Sequence, residues 1–221
     1  MLSVKQIVLT NFKNYDQQAF EFTAPLVGIC GLNGRGKTNL LDALYFSCFT
    51  RSYFTHPDSN CAKNGQNGFR IETRLQKNNE PHKIVSIVRA NGRKEISLDD
   101  IPYEKFSRHL GQFPVVMIAP DDIEIVNGPA DTRRKFLDTV LCQLDADYLE
   151  ALTIYNKVLQ QRNSLLRQEL THAAETDALL DAFDQQLTGP AQQIFTIRSR
   201  FSQQAFDSIL AHYQAICRQV E

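Results

Sequence analysis

Hydrophobic residues follow two different periods along the 221-residue chain, and they divide it into two parts. Up to about residue 128 the apolar positions form short runs or alternate with polar ones, which is typical of strands. From Asn127-Gly128-Pro129 onward they recur every three or four residues, which is typical of amphipathic helices. The pattern predicts a mixed α/β part over residues 1–128 and a helical part over residues 129–221.

Seven segments of the first part have the pattern of strands. Residues 69–75 alternate between apolar and polar positions, which predicts a half-buried strand, and Asn91-Gly92 predicts a hairpin. The runs 26–30 and 114–119 are apolar throughout, which predicts buried strands. The predicted strands are 4–10, 20–22, 26–30, 69–75, 84–88, 94–98 and 114–119, and 103–110 has the pattern of a short helix. The three consecutive antiparallel strands argue against a simple all-parallel sheet.

The second part has the apolar spacing of long helices. Phe136, Val140 and Leu144 recur at helical intervals, and the same spacing continues as far as Tyr213. The polar stretch 171–177 predicts a turn that brings one long helix back on another. Gly189-Pro190 predicts an interruption or kink, because proline removes a helical hydrogen bond. A helical hairpin that packs on itself is therefore expected.

A glycine-rich loop connects the predicted strand 26–30 to a helical segment without Gly or Pro. Glycines allow backbone N–H groups to wrap a phosphate, and the helix adds unpaired N–H groups at its positive end. We expect Lys37 to reach the β- and γ-phosphates of a nucleotide and the Thr38 hydroxyl to bind Mg²⁺. The alternative is a chance glycine turn before a helix. The loop reads Gly31, Leu32, Asn33, Gly34, Arg35, Gly36, Lys37 and Thr38, which fits the phosphate-binding pattern G-x-x-x-x-G-K-[ST].

Composition adds few constraints. The net charge is −1, so no global basic field favours nucleic acid, and such binding requires a local patch. The five cysteines are scattered and include no C-x-x-C pair, which is typical of reduced thiols in the cytoplasm. The first residues lack the apolar core of a signal peptide, and no apolar run is long enough to span a bilayer. We expect a cytoplasmic protein without a membrane segment.

Several stretches have patterns that are characteristic of one family. They are the glycine-rich loop through Asn39, the N-terminal motif 11–15, and the segments 113–122, 128–138, 143–149 and 161–166. Together they resemble the RecF family of bacterial recombination mediators, which belongs to the SMC-like, ABC-type ATPases that act on DNA. The resemblance covers residues 1–168 well and departs at Tyr53 and Phe54, where a histidine and a basic residue are usual. It implies an α/β fold in which an ABC-type P-loop ATPase lobe with an antiparallel β subdomain is followed by a helical, coiled-coil-like arm.

The resemblance also implies that this chain is an N-terminal fragment. RecF-like proteins are longer, and their ABC signature and Walker B carboxylates lie beyond position 221. Because those groups complete the metal shell and orient the attacking water, we expect weakened nucleotide binding and no ATPase turnover. In the full-length protein, ATP held between two protomers is expected to produce a homodimer on DNA.

The function implied by the resemblance is ATP-dependent DNA binding in DNA replication and recombinational repair, including the SOS response. The protein would bind single-strand gaps and their junctions with duplex, without sequence preference, and would help to load recombinase with RecO- and RecR-like partners.

Three residues outside the loop are candidates for the nucleotide site. Lys13 lies in the N-terminal motif and is either a contact near the nucleotide or a solvated surface lysine. Asp121 and Asp122 either assist the active-site water or metal, or cap the segment that follows them.

DNA phosphates require lysines and arginines on one face. Arg133-Arg134-Lys135 is the densest basic triplet and stands at a predicted helix start, where its charge opposes the helix dipole. A solvated turn is the alternative. Either Arg162 with Arg167, or Arg198 with Arg200, would extend a basic strip along the arm.

Two other functional classes remain open. A nucleotide or small-molecule kinase would also use a phosphate loop, but the β hairpin and the helical tail argue against it. A non-enzymatic fragment that binds DNA or proteins with an idle nucleotide site is the more serious alternative. ATP affinity with and without Lys37 separates this alternative from an ATP-dependent protein.

Overall fold

The computed structural model describes residues 1–167 and 173–217 of the chain. Contacts within the chain define two compact units, Met1–Asp122 and Ile123–Glu221. The first unit contains β1 (Leu2–Phe12), β2 (Tyr15–Glu21), α1 (Lys37–Phe49), β3 (Gly68–Lys77), β4 (Glu80–Arg89), β5 (Lys94–Leu98) and β6 (Ile101–Pro102). The second contains the helices α2 (Glu124–Asn127), α3 (Ala130–Leu144), α4 (Ala146–Leu166) and α5 (Ala173–Cys217).

The strands of the first unit form one antiparallel sheet in the order β2-β1-β3-β4-β5-β6. Five of the seven predicted strands are present, and β5 has the predicted bounds. The alternation in β3 works as expected, because Phe69, Ile71 and Leu75 are buried on one face while Arg70 and Arg74 are exposed on the other.

Two predicted strands are wrong. Residues 26–30 and 114–119 pair with no strand in the part of the chain that the structure describes, and Leu26 and Ile118 are 89% and 83% exposed. An apolar run requires burial, but it becomes a strand only where a neighbouring strand offers hydrogen bonds. The predicted helix 103–110 is also wrong, since only the 3₁₀ turn Phe106–Arg108 forms there.

Helix α1 packs on the buried face of the sheet. Phe46 of α1 makes edge-on ring contact with Phe69 of β3, with ring centroids 5.3 Å apart. A buried hydrogen bond of 2.6 Å also joins the hydroxyls of Ser47 and Thr73, so a polar contact adds to the apolar packing. The sheet thus fixes α1, and α1 in turn fixes the loop that precedes it. The core around these contacts consists of Ile7, Leu9, Phe12, Leu40, Ala43, Phe46, Cys61, Phe69, Ile71 and Val88.

The second unit consists of helices joined by short connections among its described residues, and the long helices expected from the apolar spacing are present. Helices α4 and α5 pack against each other, and Tyr148, Ala151 and Ile194 lie in their core. Residues 171 and 172 of the predicted turn lie outside the described residues, and α5 begins at Ala173. The interruption expected at Gly189-Pro190 is wrong, because α5 continues through Pro190.

Candidate nucleotide-binding site

The glycine-rich loop, residues 31–38, leads into the first turn of α1 as the sequence predicts. Three glycines have positive φ, namely Gly31 (141°), Gly34 (78°) and Gly36 (93°), and α1 begins directly afterwards at Lys37. Residues with a Cβ rarely adopt this backbone conformation, so glycine is required at these three positions for the chain to turn into the helix. Around Gly31 and Gly34 no atom lies within 4 Å of where a Cβ would stand, so the loop backbone remains open to a ligand.

The Lys37 side chain folds back over this loop. Its Nζ donates to the carbonyl oxygens of Gly31 at 2.8 Å and Leu32 at 3.0 Å. The ammonium group therefore lies at the loop itself, and the loop leads into the N-terminus of α1, whose free N–H groups attract anions. Thr38, in the first turn of the same helix, is exposed. The arrangement places a positive charge, a helix N-terminus and an accessible hydroxyl together.

Lys13 is held by a buried carboxylate that sequence reasoning missed. Its Nζ lies 2.6 Å from Oδ2 of Asp42, a residue of α1 with no exposed surface. Asp42 also accepts hydrogen bonds from the Ser52 hydroxyl and the Tyr53 backbone N–H, each 2.7 Å long. Three chain segments therefore meet at this carboxylate, and the role of Lys13 as a nucleotide contact stays a prediction. The sequence does contain a signal for this contact, since Asp42 is the one carboxylate in the otherwise mainly apolar stretch Leu40–Phe46, and a buried carboxylate needs a partner.

The turn between β1 and β2 contacts the C-terminal end of the loop. The Tyr15 hydroxyl donates to the carbonyl oxygen of Gly36 at 3.0 Å, and the Asn39 side-chain amide donates to Oδ1 of Asn14 at 2.7 Å. Sequence reasoning noted this turn as a family motif but assigned no role to Asn14 or Tyr15.

The two candidate acids differ in what surrounds them. Asp122 accepts a hydrogen bond from the Tyr53 hydroxyl through Oδ1 and another from the Ala119 N–H through Oδ2, at 2.6 Å. The second bond holds the residue that precedes the 3₁₀ turn Pro120–Ile123. Helix α2 has no side-chain cap, so the alternative that these acids cap the segment 123–126 is wrong. Asp121 is exposed and has neither contact. Burial of the Tyr53 hydroxyl, and next its hydrogen bond to the Asp122 carboxylate, raise the pKa of Tyr53, which keeps the hydroxyl protonated as a donor.

Most of the candidate DNA-binding cations are already engaged. Arg134 and Lys135 both pair with Asp131, and the charge of Lys135 lowers the pKa of that carboxyl. Arg133 donates to backbone carbonyls of Ile125 and Gly128. In the arm, Arg162 pairs with Asp184 and Arg198 with Asp138, at 2.7 Å and 2.5 Å. The pairs of Arg162 and Arg198 join two helices each, whereas those of Asp131 lie within α3. All of these contacts reduce the charge available to a phosphate backbone.

A self-contained metal centre is absent from the described part of the chain. No three His, Cys, Asp or Glu side chains come together there in a way that would hold an ion. Thr38 therefore offers a single oxygen, which suits Mg²⁺ only if phosphate oxygens and water supply the other ligands. Among the same residues no helix has the length and apolarity needed to cross a membrane.

Comparison with known proteins places this chain in a family. A family model described as an AAA domain matches residues 6–213. The DNA replication and repair protein RecF of Flavobacterium johnsoniae is 35% identical over 216 residues, which is 97% of this chain and 60% of that protein. A solved structure of the recombination mediator protein RecF-ATP in the RecFOR pathway has a TM-score of 0.83 and 30% identity, covering 91% of this chain and 54% of that one.

A third match concerns the fold alone. The Smc head domain with an extended coiled coil from Pyrococcus furiosus has a TM-score of 0.52 at 17% identity, and covers 95% of this chain and 63% of that one.

The match over residues 6–213 shows that the chain belongs to the AAA domain family. Within that class, the predicted resemblance to the RecF proteins is confirmed, as is the α/β fold of an ABC-type P-loop ATPase lobe with an antiparallel sheet and a helical arm. The chain spans 54% to 60% of the length of these two RecF relatives.

Proposed function

We propose that residues 31–38 of this chain bind ATP with Mg²⁺, as part of a DNA-binding protein of replication and recombinational repair. The main observation behind the proposal is the geometry of the loop. Its backbone is open around Gly31 and Gly34, the Lys37 ammonium bonds to it, and it leads directly into the N-terminus of α1. Such a combination favours a polyphosphate, because backbone N–H groups and a fixed cation both act on negative charge. The relative described as RecF-ATP has the same fold and supports ATP as the ligand.

Each residue of the loop then has a defined task. The glycines expose N–H groups to the phosphates, while Lys37 exchanges its bonds to the Gly31 and Leu32 carbonyls for bonds to phosphate oxygens. The Thr38 hydroxyl binds Mg²⁺, which supplies charge stabilisation to the phosphates when bound. Asp122 is engaged by Tyr53 and Ala119, so it is a poor candidate for orienting water. For these reasons we propose that the 221-residue chain binds ATP without appreciable turnover.

ATP binding is tested by isothermal titration calorimetry on the wild-type chain and on Lys37→Ala. Loss of the ammonium should weaken ATP binding by about 10- to 100-fold, the effect of a hydrogen bond to a charged group. Lys5→Ala is the matched control, because Lys5 is exposed on β1 and its side chain makes no hydrogen bond or ion pair among the described residues. Equal ATP affinity in wild type and Lys37→Ala would refute the proposed site.

A role on DNA rests on the relatives rather than on a charged surface. RecF relatives are named for DNA replication and repair, and one is described in the RecFOR pathway. We propose sequence-independent binding at single-strand gaps and a cytoplasmic location. We also propose an ATP-dependent homodimer and cooperation with RecO- and RecR-like partners in loading recombinase. Because Arg134, Lys135, Arg162 and Arg198 are paired with carboxylates, the DNA contact in this chain should be weak.

Fluorescence anisotropy with two gapped duplexes of unrelated sequence tests the DNA proposal. Affinity should fall steeply with salt and should be the same for both sequences, since phosphate contacts release counterions and read no bases. A preference for one sequence, or an affinity that does not change with salt, would contradict it.

A non-enzymatic interaction fragment with an idle nucleotide site remains the second candidate. The bonds from Lys37 to the loop's own carbonyls favour it, because they must be given up before a phosphate binds. Undetectable ATP binding by the wild-type chain, combined with retained DNA binding, would select this function.

A further inference from the structure

The glycine-rich loop is tied to the rest of the first unit mainly at its C-terminal end. Residues 22–36 form no strand, and Leu26 and Leu32 are 89% and 73% exposed. In the described part of the chain, the one side chain from outside the loop and α1 that hydrogen-bonds to the loop is Tyr15. Its partner is the carbonyl of Gly36, the residue directly before α1.

The Gly36 carbonyl oxygen is therefore held from two directions. It accepts the first helical hydrogen bond, from the N–H of Leu40 at 2.9 Å, and the hydroxyl bond of Tyr15 at 3.0 Å. A trans peptide is planar, so its carbonyl and its N–H point in opposite directions. Fixing the Gly36 carbonyl consequently fixes the direction of the Lys37 N–H, which is one of the free donors at the start of α1.

The Asn14 side chain occupies the space beside the Gly36 Cα, next to the Tyr15 hydroxyl. A Cβ on Gly36 would lie 2.5 Å from Nδ2 and 2.6 Å from Oδ1 of Asn14, and 2.9 Å from the Tyr15 hydroxyl. The two side chains thus lie directly against the Gly36 backbone. The hydrogen bond between Asn39 and Oδ1 of Asn14 sets the orientation of the Asn14 amide from the α1 side.

The turn that carries these side chains is itself anchored. The Lys13 N–H donates to the Cys61 carbonyl at 2.7 Å, and its ammonium pairs with the buried Asp42. The Tyr15 ring packs edge-on against Phe20, with ring centroids 5.6 Å apart. These contacts fix the position of the Tyr15 hydroxyl. Burial also raises the pKa of Tyr15, which keeps this hydroxyl protonated.

We propose that Tyr15 and Asn14 are positioning residues of the nucleotide site, which hold the Gly36-Lys37 peptide so that the Lys37 N–H faces a bound phosphate. The proposal rests on the function proposed above, since it assigns a purpose to the geometry of the same loop. Neither side chain needs to touch the nucleotide. Their effect is to remove the freedom of one peptide group before binding, which lowers the entropic cost of forming the cradle.

The test compares wild type with Tyr15→Phe, which removes the hydroxyl and keeps the ring. ATP affinity measured by calorimetry should fall about five- to tenfold, the loss expected from one net hydrogen bond. Asn14→Ala should also weaken ATP binding. The control is Tyr103→Phe, because the Tyr103 hydroxyl has no hydrogen bond among the described residues, and its ATP affinity should equal that of wild type.

A second readout needs no nucleotide and reports on the peptide itself. In ¹⁵N-labelled chain without ligand, Tyr15→Phe should shift the Lys37 and Thr38 amide resonances, whereas a hydroxyl that merely adds stability leaves native-state resonances in place. Wild-type ATP affinity, or unmoved Lys37 and Thr38 amides, in Tyr15→Phe would overturn the proposal. If wild type and Lys37→Ala bind ATP equally, the proposed function fails. The amide resonances then still show whether Tyr15 orients the Gly36-Lys37 peptide.

Discussion

The Lys13 ammonium and the Asp42 carboxylate form an ion pair of 2.6 Å, in which Asp42 has no exposed surface and the Lys13 side chain is 14% exposed. The two residues are distant in sequence, and their contact joins the β1–β2 turn to α1. The other donors to Asp42 come from the segment after α1, so the pair is the centre of a small buried polar network. Such a network is stabilising only while every member keeps its partner.

The first prediction concerns removal of this carboxylate. Asp42→Ala should lower the free energy of unfolding by about 3–5 kcal/mol, because it leaves the Lys13 charge partly buried without a counter-charge. Urea denaturation followed by circular dichroism measures the change. Asp16→Ala removes a comparable but exposed pair, Lys63–Asp16, and should cost less than about 1 kcal/mol. Similar losses in the two variants would show that burial of Asp42 has no special importance.

The second prediction concerns the Tyr53 hydroxyl, which bonds to Asp122 at the 3₁₀ turn Pro120–Ile123. Tyr53→Phe should lower the free energy of unfolding by about 1–2 kcal/mol, since the carboxylate loses one of its two donors. It should also speed hydrogen exchange at the Ala119 amide, which donates to the same carboxylate. Tyr103→Phe provides the control for removal of a hydroxyl. Unchanged exchange at Ala119 would mean that Tyr53 does not hold this turn.

The third prediction uses two glycines that differ in surroundings. Gly36→Ala should abolish measurable ATP binding, because its φ of 93° and the contact with Asn14 leave no room for a methyl group. The backbone conformation alone costs about 1–2 kcal/mol for an L-residue. Gly28→Ala lies in the same segment, has no atom within 4 Å of the new Cβ, and should bind ATP like wild type. Calorimetric titration of both variants decides the matter, and ATP binding by Gly36→Ala at wild-type affinity would contradict the structure.

Sequence periodicity predicted the strands whose own residues alternate between a buried and an exposed face. The alternation of Phe69, Ile71 and Leu75 identified β3, because a strand with one buried face carries the pattern in its own residues. The apolar run around Leu26 carries no such information about a neighbour. It predicted a strand, and the described residues provide no strand beside it. Apolar character indicates a need for burial, whereas the strand itself depends on a pairing partner elsewhere.

The candidate site was likewise predictable only in part. The loop spelling located Lys37, Thr38 and the α1 N-terminus, since a local pattern determines a local backbone conformation. The contacts of Tyr15 with Gly36 and of Lys13 with Asp42 cross 21 and 29 positions, and no local period reports them. Sequence placed Lys13 near the nucleotide by motif alone and had no means of seeing the carboxylate that holds it.

The fourth prediction is a pH dependence due to His109. This residue has no exposed surface, its Nε2 lies 2.7 Å from the Ser47 carbonyl oxygen, and its Nδ1 has no hydrogen-bond partner among the described residues. Nε2 must donate, so Nδ1 is the site that would gain a proton, against the rings of Tyr103 and Phe113. Burial lowers the pKa of His109 below its usual value, although the bond to Ser47 opposes the shift.

The lowered pKa of His109 determines whether stability rises or falls with pH. The unfolded chain takes up the proton at a pH of about 6.5, while the folded chain resists it until a lower pH. Stability due to the neutral imidazole is therefore complete above about pH 6.5 and declines as the pH falls toward the folded-state pKa. His109→Gln keeps a donor for the Ser47 carbonyl and should flatten the decline in urea titrations between about pH 7.5 and 5. His212→Gln, at an exposed position of α5, should leave it unchanged.

The fifth prediction separates structure from DNA binding in the arm. Arg198 of α5 donates to Asp138 of α3 at 2.5 Å and to the Tyr148 hydroxyl of α4 at 2.8 Å, so one guanidinium joins three helices. The Tyr148 ring is completely buried, and its hydroxyl bonds to the same carboxylate at 2.5 Å. Arg198→Met should reduce the free energy of unfolding of the second unit by about 1–3 kcal/mol, because the Asp138 charge then loses its cation.

Arg200→Met is the matched control, since Arg200 lies two positions away on the same helix and has no ion pair among the described residues. It should change stability by less than about 0.5 kcal/mol. If the arm binds phosphate backbones through exposed cations, Arg200→Met should also weaken DNA binding in anisotropy titrations. With an osmolyte added to restore the stability of Arg198→Met, Arg200→Met should show the larger loss of DNA affinity of the two variants. A larger loss of DNA affinity in Arg198→Met, without a loss of stability, would mean that Arg198 leaves Asp138 to contact DNA. The two arginines therefore distinguish a cation committed to helix packing from one that is available to a ligand.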